Sequence, residues 1–143
     1  MRPNRAMPPL DLILQNKREE TQRLRPALEE FARQNHLAPA VLQAADLALE
    51  ELVTNVISYA YEDAAPHEIR IRLTLDAPHL QIEVEDDGRP YDPLSRPPVD
   101  TSVPLEDKRI GGLGIHLVRS FMDDVDYRRE AGKNILRMRK RIA

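Results

Sequence analysis

The chain has 143 residues, of which 41% are hydrophobic and 31% charged, a balance that indicates one globular domain over residues 1–143 and excludes a fibrous or disordered protein. A net charge of −3 excludes the basic excess needed to bind nucleic acid directly, and the absence of cysteine excludes disulfides, thiolate metal sites and a cysteine nucleophile. No apolar run approaches the about 18 residues that cross a membrane, and no signal-peptide core is present, so we expect a cytoplasmic protein without a membrane partner.

The first half of the chain predicts one strand followed by two helices. Its composition favours a short strand over Leu10–Leu14. From Arg18 to Asn35 the apolar residues recur at helical spacing. A second helix is predicted from Pro39 to about Tyr61, because proline is tolerated at the first position of a helix. The apolar stripe of this second helix consists of Ala45, Leu49, Leu52, Val53, Val56, Ile57 and Ala60.

The second half predicts two alternating strands, a helix and a closing hairpin. Apolar and polar residues alternate over Ile69–Leu75 and again over Leu80–Glu85, a pattern typical of an antiparallel sheet with one covered face. A helix is predicted over Gly114–Met122, and Val125–Arg128 pairs with Asn134–Ile142 in a hairpin. We therefore predict an α+β fold, a two-layer sandwich in which a mixed, mostly antiparallel sheet carries helices on one face.

A proline-rich stretch from Arg89 to Arg109 separates the alternating strands from the last helix. Five of the twelve prolines lie between Pro90 and Pro104, and the stretch has no apolar period. Structureless loops of about 20 residues are uncommon in small domains and often form functional lids. A disordered insertion is the alternative interpretation.

Asp86 is the first candidate functional residue. The alternation of Leu80, Ile82 and Val84 places it on the apolar face of its strand, where an unpaired carboxylate is costly. Asp86 could simply cap a turn at the strand end. Alternatively, it is a buried acceptor for a hydrogen-bond donor of a ligand, and Gly88 lets the backbone approach that ligand closely.

Glu51 and Asn55 form the second candidate pair, on the second predicted helix. They are four residues apart and share one helix face, which lies away from the apolar stripe. A solvated helix flank is the simpler interpretation. A helix that borders a pocket could instead direct Asn55 at a metal ion and Glu51 at a reacting hydroxyl group.

The third candidate is the glycine-rich run within Ile110–Val118. Glycines that open onto a helix leave backbone N–H groups free to bind an anion. The run matches neither a P-loop nor a dinucleotide-binding fingerprint, and a flexible joint is an equally simple interpretation.

Taken together in chain order, with Glu51 and Asn55 first, Asp86 and Gly88 second and the glycine-rich run third, the motifs resemble the histidine-kinase-like ATPase superfamily with its Bergerat fold, and more closely the small RsbW- and SpoIIAB-like anti-sigma factor kinases. The matching stretches are Glu51–Asn55, Val84–Pro93 and Gly111–Ser120. The resemblance implies that Asn55 coordinates Mg²⁺ on the phosphates of ATP or ADP. It also implies that Glu51 is the base that activates an acceptor serine or threonine.

The resemblance further implies that Asp86 accepts a hydrogen bond from the adenine amino group and that Gly88 keeps the adenine pocket open. The proline-rich stretch becomes an ATP lid over about residues 89–110. The small polar residue that the family often has on a late strand near adenine is not evident, and Lys133 and Asn134, which occupy that region, stay outside the predicted site. The residues that wrap the phosphates by resemblance are Gly111, Gly112, Leu113 and Gly114.

The function implied is that of an anti-sigma factor with serine/threonine protein kinase activity. Such a protein holds a sigma factor inactive and phosphorylates an anti-anti-sigma (STAS-type) antagonist in a partner-switching module. Arg18, Arg23 and Arg25 form a candidate partner surface, and a homodimer is compatible with the family. The alternative is a nucleotide-dependent binding switch with little or no kinase activity, against which the presence of Glu51 argues. A histidine kinase module is disfavoured, because we expect no preceding helical hairpin with a phosphoacceptor histidine.

Overall fold

The computed structural model describes residues 8–95, 116 and 118–142. Helices and strands follow one another in the order that the sequence predicts. In the part described, no helix is both long and apolar enough to pass through a lipid bilayer. The elements are β1 (Leu10–Gln15), a 3-10 helix (Arg18–Arg23), α1 (Leu24–Asn35), α2 (Pro39–Tyr59), β2 (Glu68–Asp76), β3 (His79–Asp86), a short 3-10 turn (Pro93–Ser95), β4 (Asp124–Glu130) and β5 (Lys133–Arg141).

The five strands form one sheet in the order β1-β2-β3-β5-β4. All four pairings between the described strands are antiparallel, so this part of the sheet is antiparallel throughout rather than mixed. The α+β architecture predicted from the sequence is confirmed. The first predicted helix differs in detail, because its N-terminal residues form a 3-10 helix before α1 begins.

The hydrophobic core lies between the helices and one face of the sheet. Alternate residues of the central strands are fully buried, as the period-two pattern predicts, and they meet the buried face of α2, including Leu49 and Val53. Burying each such side chain contributes about 1.5–3 kcal/mol. The buried strand residues on β2 and β3 are Ile69, Ile71, Leu73, Leu80, Ile82 and Val84.

The opposite face of the sheet is charged. Arg70 pairs with Asp11 at 2.6 Å, and Arg137 pairs with Asp126 at 3.0 Å, both across neighbouring strands. Cross-strand ion pairs of this kind stabilise a sheet face that remains in water. The basic C-terminal strand is therefore part of a solvated face, as its alternation predicts.

The exposed edge of β1 is contacted by side chains of the 3-10 helix. The backbone N–H of Gln15 donates to Oε1 of Glu20 at 2.9 Å, and Nη1 of Arg23 donates to the carbonyl of Ile13 at 3.1 Å. Glu20 and Arg23 also pair with each other at 3.1 Å. The Arg23 side chain is therefore already hydrogen-bonded to β1.

The other two arginines of the candidate partner surface differ from each other. Arg25 is bound to Glu29 at 2.9 Å and to Asp46 at 3.1 Å, which ties α1 to α2. Arg18 is exposed. Arg23 is exposed as well, so Arg18 differs from the other two arginines only in that its side chain has no ion pair with a described residue.

Candidate functional site

A pocket lies between α2 and the helix-facing side of the sheet. It holds about 400 Å³ of unfilled space, its open mouth included. Asn55 from α2 and Asp86 from β3 both line it, so the structure brings two of the predicted site residues together. The remaining lining residues are Leu52, Val56, Ala60, Val84, Tyr91, Pro93, Tyr127, Asn134 and Leu136.

Asp86 is 6% exposed, which confirms the inward direction predicted from the strand alternation. Its Oδ1 accepts hydrogen bonds from the backbone N–H of Gly88 and from Nδ2 of Asn134, both at 2.9 Å. Burial raises the pKa of the Asp86 carboxyl, and the hydrogen bonds from Asn134 and Gly88 partly oppose that rise. Oδ1 caps the turn, as the first interpretation predicts, and no described residue donates to Oδ2, so the role as an acceptor for a ligand stays a prediction.

Asn134 belongs to this pocket, and its exclusion from the predicted site was wrong. It is 5% exposed and lies directly opposite Asp86 in the register of β3 and β5. Its amide bonds Asp86 and also the segment that follows β3. The signal was present in the sequence, because Asn134, Leu136 and Met138 alternate just as the residues before Asp86 do.

Asn55 is also buried, at 5% exposure, so the interpretation of its helix face as a solvated flank is wrong for this residue. Helical periodicity finds the stripe that faces the sheet, whereas Asn55 lines a pocket together with Tyr91, Pro93 and Asn134. In the part of the chain that the structure describes, the Nδ2 atom of Asn55 is buried without a hydrogen-bond partner. A buried, incompletely bonded amide that lines a pocket is the kind of group that a polar ligand satisfies.

Glu51 lies one helical turn before Asn55 and faces a neighbouring groove rather than the Asp86 pocket. It is partly buried, and its Oε1 atom is fully enclosed. The groove is shared with Thr54 on α2 and with Val118 and Phe121 on the helical residues 118–121. The pair predicted from its four-residue spacing therefore spans two adjoining openings.

Gly88 packs against the end of α2 and does not line the Asp86 pocket. A Cβ atom at this position would lie 2.5 Å from the carbonyl oxygen of Ala60 and 2.6 Å from its Cβ atom. The next residue, Arg89, donates its backbone N–H to the same carbonyl at 2.9 Å. Glycine is required here because the chain passes in contact with α2.

The remaining predicted phosphate-binding residues, Gly111, Gly112, Leu113 and Gly114, lie outside the described residues, as does the lid from residue 96 onward. Among the residues that are described, no group of three or more histidine and carboxylate side chains could hold a metal ion. The donor set nevertheless fits Mg²⁺, which is usually bound by one or two protein ligands together with substrate phosphates. Oδ1 is the atom of the Asn55 amide that could be one such ligand, while the unpartnered Nδ2 could donate to a phosphate oxygen.

His67 lies beside the site, on the outer side of the Asp86–Gly88 turn. Its ring stacks on Tyr61 with 4.1 Å between ring centroids. Nε2 is 2.7 Å from Asp63 Oδ1, and Nδ1 is 3.3 Å from Asp87 Oδ1. The hydrogen bond and charge of Asp63, together with Asp87, raise the pKa of His67 above its usual value.

We expect the contribution of His67 to stability to depend on pH. Since its pKa is raised in the folded state, this contribution is complete below the ordinary pKa of about 6.5 and is lost as the pH rises through the folded value. Thermal melting of wild type and His67→Gln between pH 5.5 and 8.5 should show a difference that shrinks at high pH. His79→Gln is the control, because His79 contacts Arg139 rather than a carboxylate. A difference that grew with pH would contradict the assignment.

Comparison with known proteins agrees with this geometry. Residues 14–140 match the sequence profile described as histidine kinase-like ATPase domain. The serine-protein kinase RsbW of Oceanobacillus iheyensis is 33% identical over 101 residues, which cover 68% of this chain and 63% of that protein. The RsbW of Halalkalibacterium halodurans is 33% identical over 90 residues, or 60% of this chain and 54% of that protein. The chain thus spans less than two thirds of these relatives.

Two further proteins are similar over most of this chain. The serine/threonine-protein kinase BtrW of Bordetella bronchiseptica is 30% identical over 111 residues, which cover 76% of this chain and 77% of that protein. The crystal structure of the RsbU and RsbW domains of a Mycobacterium tuberculosis protein shares the fold, with a TM-score of 0.69 at 16% identity over 95% of this chain and 33% of that one. The profile match and the BtrW alignment each cover most of the chain, and together they show that it belongs to the histidine kinase-like ATPase domain family.

Proposed function

We propose that this protein is an ATP- and Mg²⁺-dependent serine/threonine protein kinase that acts as an anti-sigma factor. The observation that carries the proposal is the burial of Asp86 and Asn55 in one pocket, each with a polar atom that forms no hydrogen bond with the described residues. The curated relatives that are named serine or serine/threonine kinases support the activity.

In this proposal, Asp86 and Asn55 hold the two ends of ATP. Oδ2 of Asp86 accepts a hydrogen bond from the adenine amino group, because Oδ1 is already occupied by Gly88 and Asn134. Asn55 supplies the protein ligand to Mg²⁺ on the phosphates, with Gly111, Gly112, Leu113 and Gly114 around them. Bound Mg²⁺ neutralises negative charge on the transferred phosphoryl group.

Glu51 is the proposed general base. Four residues along a helix rise by about 6 Å, so Glu51 and Asn55 lie on one side of α2 at two adjoining openings. Glu51 accepts the proton of a serine or threonine hydroxyl group while the oxygen of that hydroxyl group forms a bond to the γ-phosphorus of ATP. The bond from that phosphorus to the bridging oxygen breaks, and ADP leaves. The groove beside Thr54 and Phe121 gives an acceptor access to Glu51.

The proposed partners are a sigma factor, which the protein holds inactive, and an anti-anti-sigma protein of STAS type, which it phosphorylates. Both belong to the cytoplasm, where transcription is regulated, and the protein acts there as a monomer or a homodimer. A nucleotide-dependent binding switch without transfer is the second candidate function, since the pocket alone suffices for it.

Calorimetric titration of Mg-ATP into the full chain tests the pocket, and incubation with γ-labelled ATP and a STAS-domain protein of the same organism tests the transfer. We expect micromolar binding and label on a serine or threonine of the STAS protein. Binding without transfer favours the switch. If no adenine nucleotide binds to the folded protein, both functions are wrong.

A further inference from the structure

The side-chain amide of Asn134 forms four hydrogen bonds in a buried position. Nδ2 donates to Oδ1 of Asp86 at 2.9 Å and to the carbonyl of Arg89 at 2.8 Å. Oδ1 accepts from the backbone N–H of Tyr91 at 3.2 Å and from the hydroxyl group of Tyr127 at 2.6 Å. Since an amide has two N–H donors and two acceptor lone pairs, these bonds use its full capacity and fix its orientation.

Residues 88–91, which we call the post-β3 segment, are held at several points. Nη1 of Arg129 donates to the carbonyl of Gly88 at 2.7 Å. Arg89 donates through its backbone N–H to Ala60 at 2.9 Å and through Nε to the carbonyl of Tyr59 at 2.8 Å. These contacts fix the start of the segment to the end of α2 and to β4. The contacts further along it, at the carbonyl of Arg89 and the N–H of Tyr91, are those of Asn134.

We propose that Asn134 is a positioning residue that couples occupancy of the nucleobase pocket to the order of the post-β3 segment. One amide nitrogen bonds both Asp86 and Arg89, so a rotation of the Asp86 carboxylate that breaks its bond with Asn134 also affects how Asn134 holds Arg89 and Tyr91, in addition to the direct bond from Gly88. A donor bound at Oδ2 of Asp86 restrains that rotation. By thermodynamic linkage, if ordering of the segment raises ligand affinity by some factor, ligand binding raises the equilibrium constant for ordering of the segment by the same factor.

Arg129 serves as an internal comparison, because it bonds the segment at Gly88 but makes no hydrogen bond to Asp86 among the described residues. Gly88 is bonded to Asp86 directly through its backbone N–H, so the part of the coupling that depends on Asn134 is the part that reaches Tyr91. Changing Asn134 should therefore remove the coupling at Tyr91.

Hydrogen exchange of the full chain, with and without saturating ADP, tests the coupling. The inference rests on the proposed nucleotide binding. In wild type, ADP should slow exchange of the Tyr91 amide by about tenfold. In Asn134→Leu, which has nearly the same shape without the amide, the slowing should fall below about twofold. Arg128→Gln, an exposed change on the same strand as Tyr127 and outside the pocket lining, should behave as wild type.

Asn134→Asp is the second variant, and its readout is a pH profile of ADP affinity. It keeps the acceptor for Tyr91 and Tyr127 but places a second carboxylate against Asp86, near Asp87 and Arg129. Two adjacent carboxylates share a proton more readily at low pH, so ADP affinity should recover from pH 8 to pH 5.5 in this variant and not in wild type. A merely structural role for Asn134 gives no such recovery.

The outcomes separate the two proposals. If wild type does not bind ADP, the proposed function is wrong. If wild type binds ADP and either Asn134 variant, once shown by its melting transition to be folded, keeps the tenfold exchange response, the coupling is wrong while the pocket stands. A flat pH profile in Asn134→Asp also overturns the coupling.

Discussion

Replacing Asp86 by asparagine should weaken ATP binding by about 10²-fold, as measured by calorimetric titration. The oxygen of the new amide can still accept from Gly88 and Asn134, which each lie 2.9 Å from Oδ1 in the native protein. Its NH₂ group then takes the place of Oδ2 and presents a donor to the adenine amino group, which is also a donor. Two opposed donors in a buried pocket leave both unsatisfied, and this accounts for the loss.

The same substitution should not destabilise the free protein. Burial raises the pKa of Asp86, so the folded state holds its proton to a higher pH than the unfolded state does. The resulting cost to stability is absent below the ordinary pKa of an aspartate, grows as the pH rises to the folded value, and is complete above it. At pH 8 we expect the melting temperature of Asp86→Asn to equal or exceed that of wild type.

Asp87→Asn is the matched control for Asp86→Asn, because it makes the same chemical change one residue along. The Asp87 side chain is 52% exposed and points to the opposite face of the strand, towards His67. ATP affinity should remain within about threefold of wild type. Equal losses of affinity in the two variants would show that Asp86 does not receive the base.

Replacing Glu51 by glutamine should reduce phosphoryl transfer by about 10²–10⁴-fold and leave ATP affinity unchanged. The amide keeps the shape of the side chain, with its enclosed Oε1 position, but cannot accept a proton from the attacking hydroxyl group. Single-turnover transfer from labelled ATP gives the rate, and calorimetry gives the affinity. Together they separate a kinase from a binding switch.

Glu50→Gln is the control for Glu51→Gln. Glu50 is the preceding residue of α2, is exposed, and lies at the same groove. Its substitution should alter transfer by no more than about threefold. If Glu51→Gln transferred phosphate at the wild-type rate, Glu51 would not be the base; if it lost ATP binding as well, its role would be structural.

How far the sequence predicts this site depends on where the covering residues come from. The inward direction of Asp86 follows from the period of one strand, which is a local property, and the structure confirms it. The burial of Asn55 is not a local property, because the pocket that it lines includes Tyr91, Pro93 and Asn134 from much later in the chain. Helical periodicity ranks positions against a single stripe and cannot anticipate a pocket built by distant residues.

Gly88 and Asn134 are harder to predict from the sequence than Asp86 and easier than Asn55. The sequence marks Gly88 as special, but its contact with the Ala60 carbonyl depends on where α2 ends relative to β3. The pattern that buries Asn134 is visible, yet it starts directly after a turn, where the phase of a strand is least certain. In both cases the sequence does not show which residue from another element of the fold lies next to the position.

The side chains on the edge of β1 also bear on how copies of this protein meet. A strand from a second molecule that joined this edge would need the carbonyl of Ile13 and the N–H of Gln15, which already bond Arg23 and Glu20. Open sheet edges are common routes to unwanted intermolecular sheets, and charged side chains are a usual protection. The bonds made by Glu20 and Arg23 therefore protect the outer edge of β1 from pairing with a strand of another molecule. We expect any self-association to use another surface.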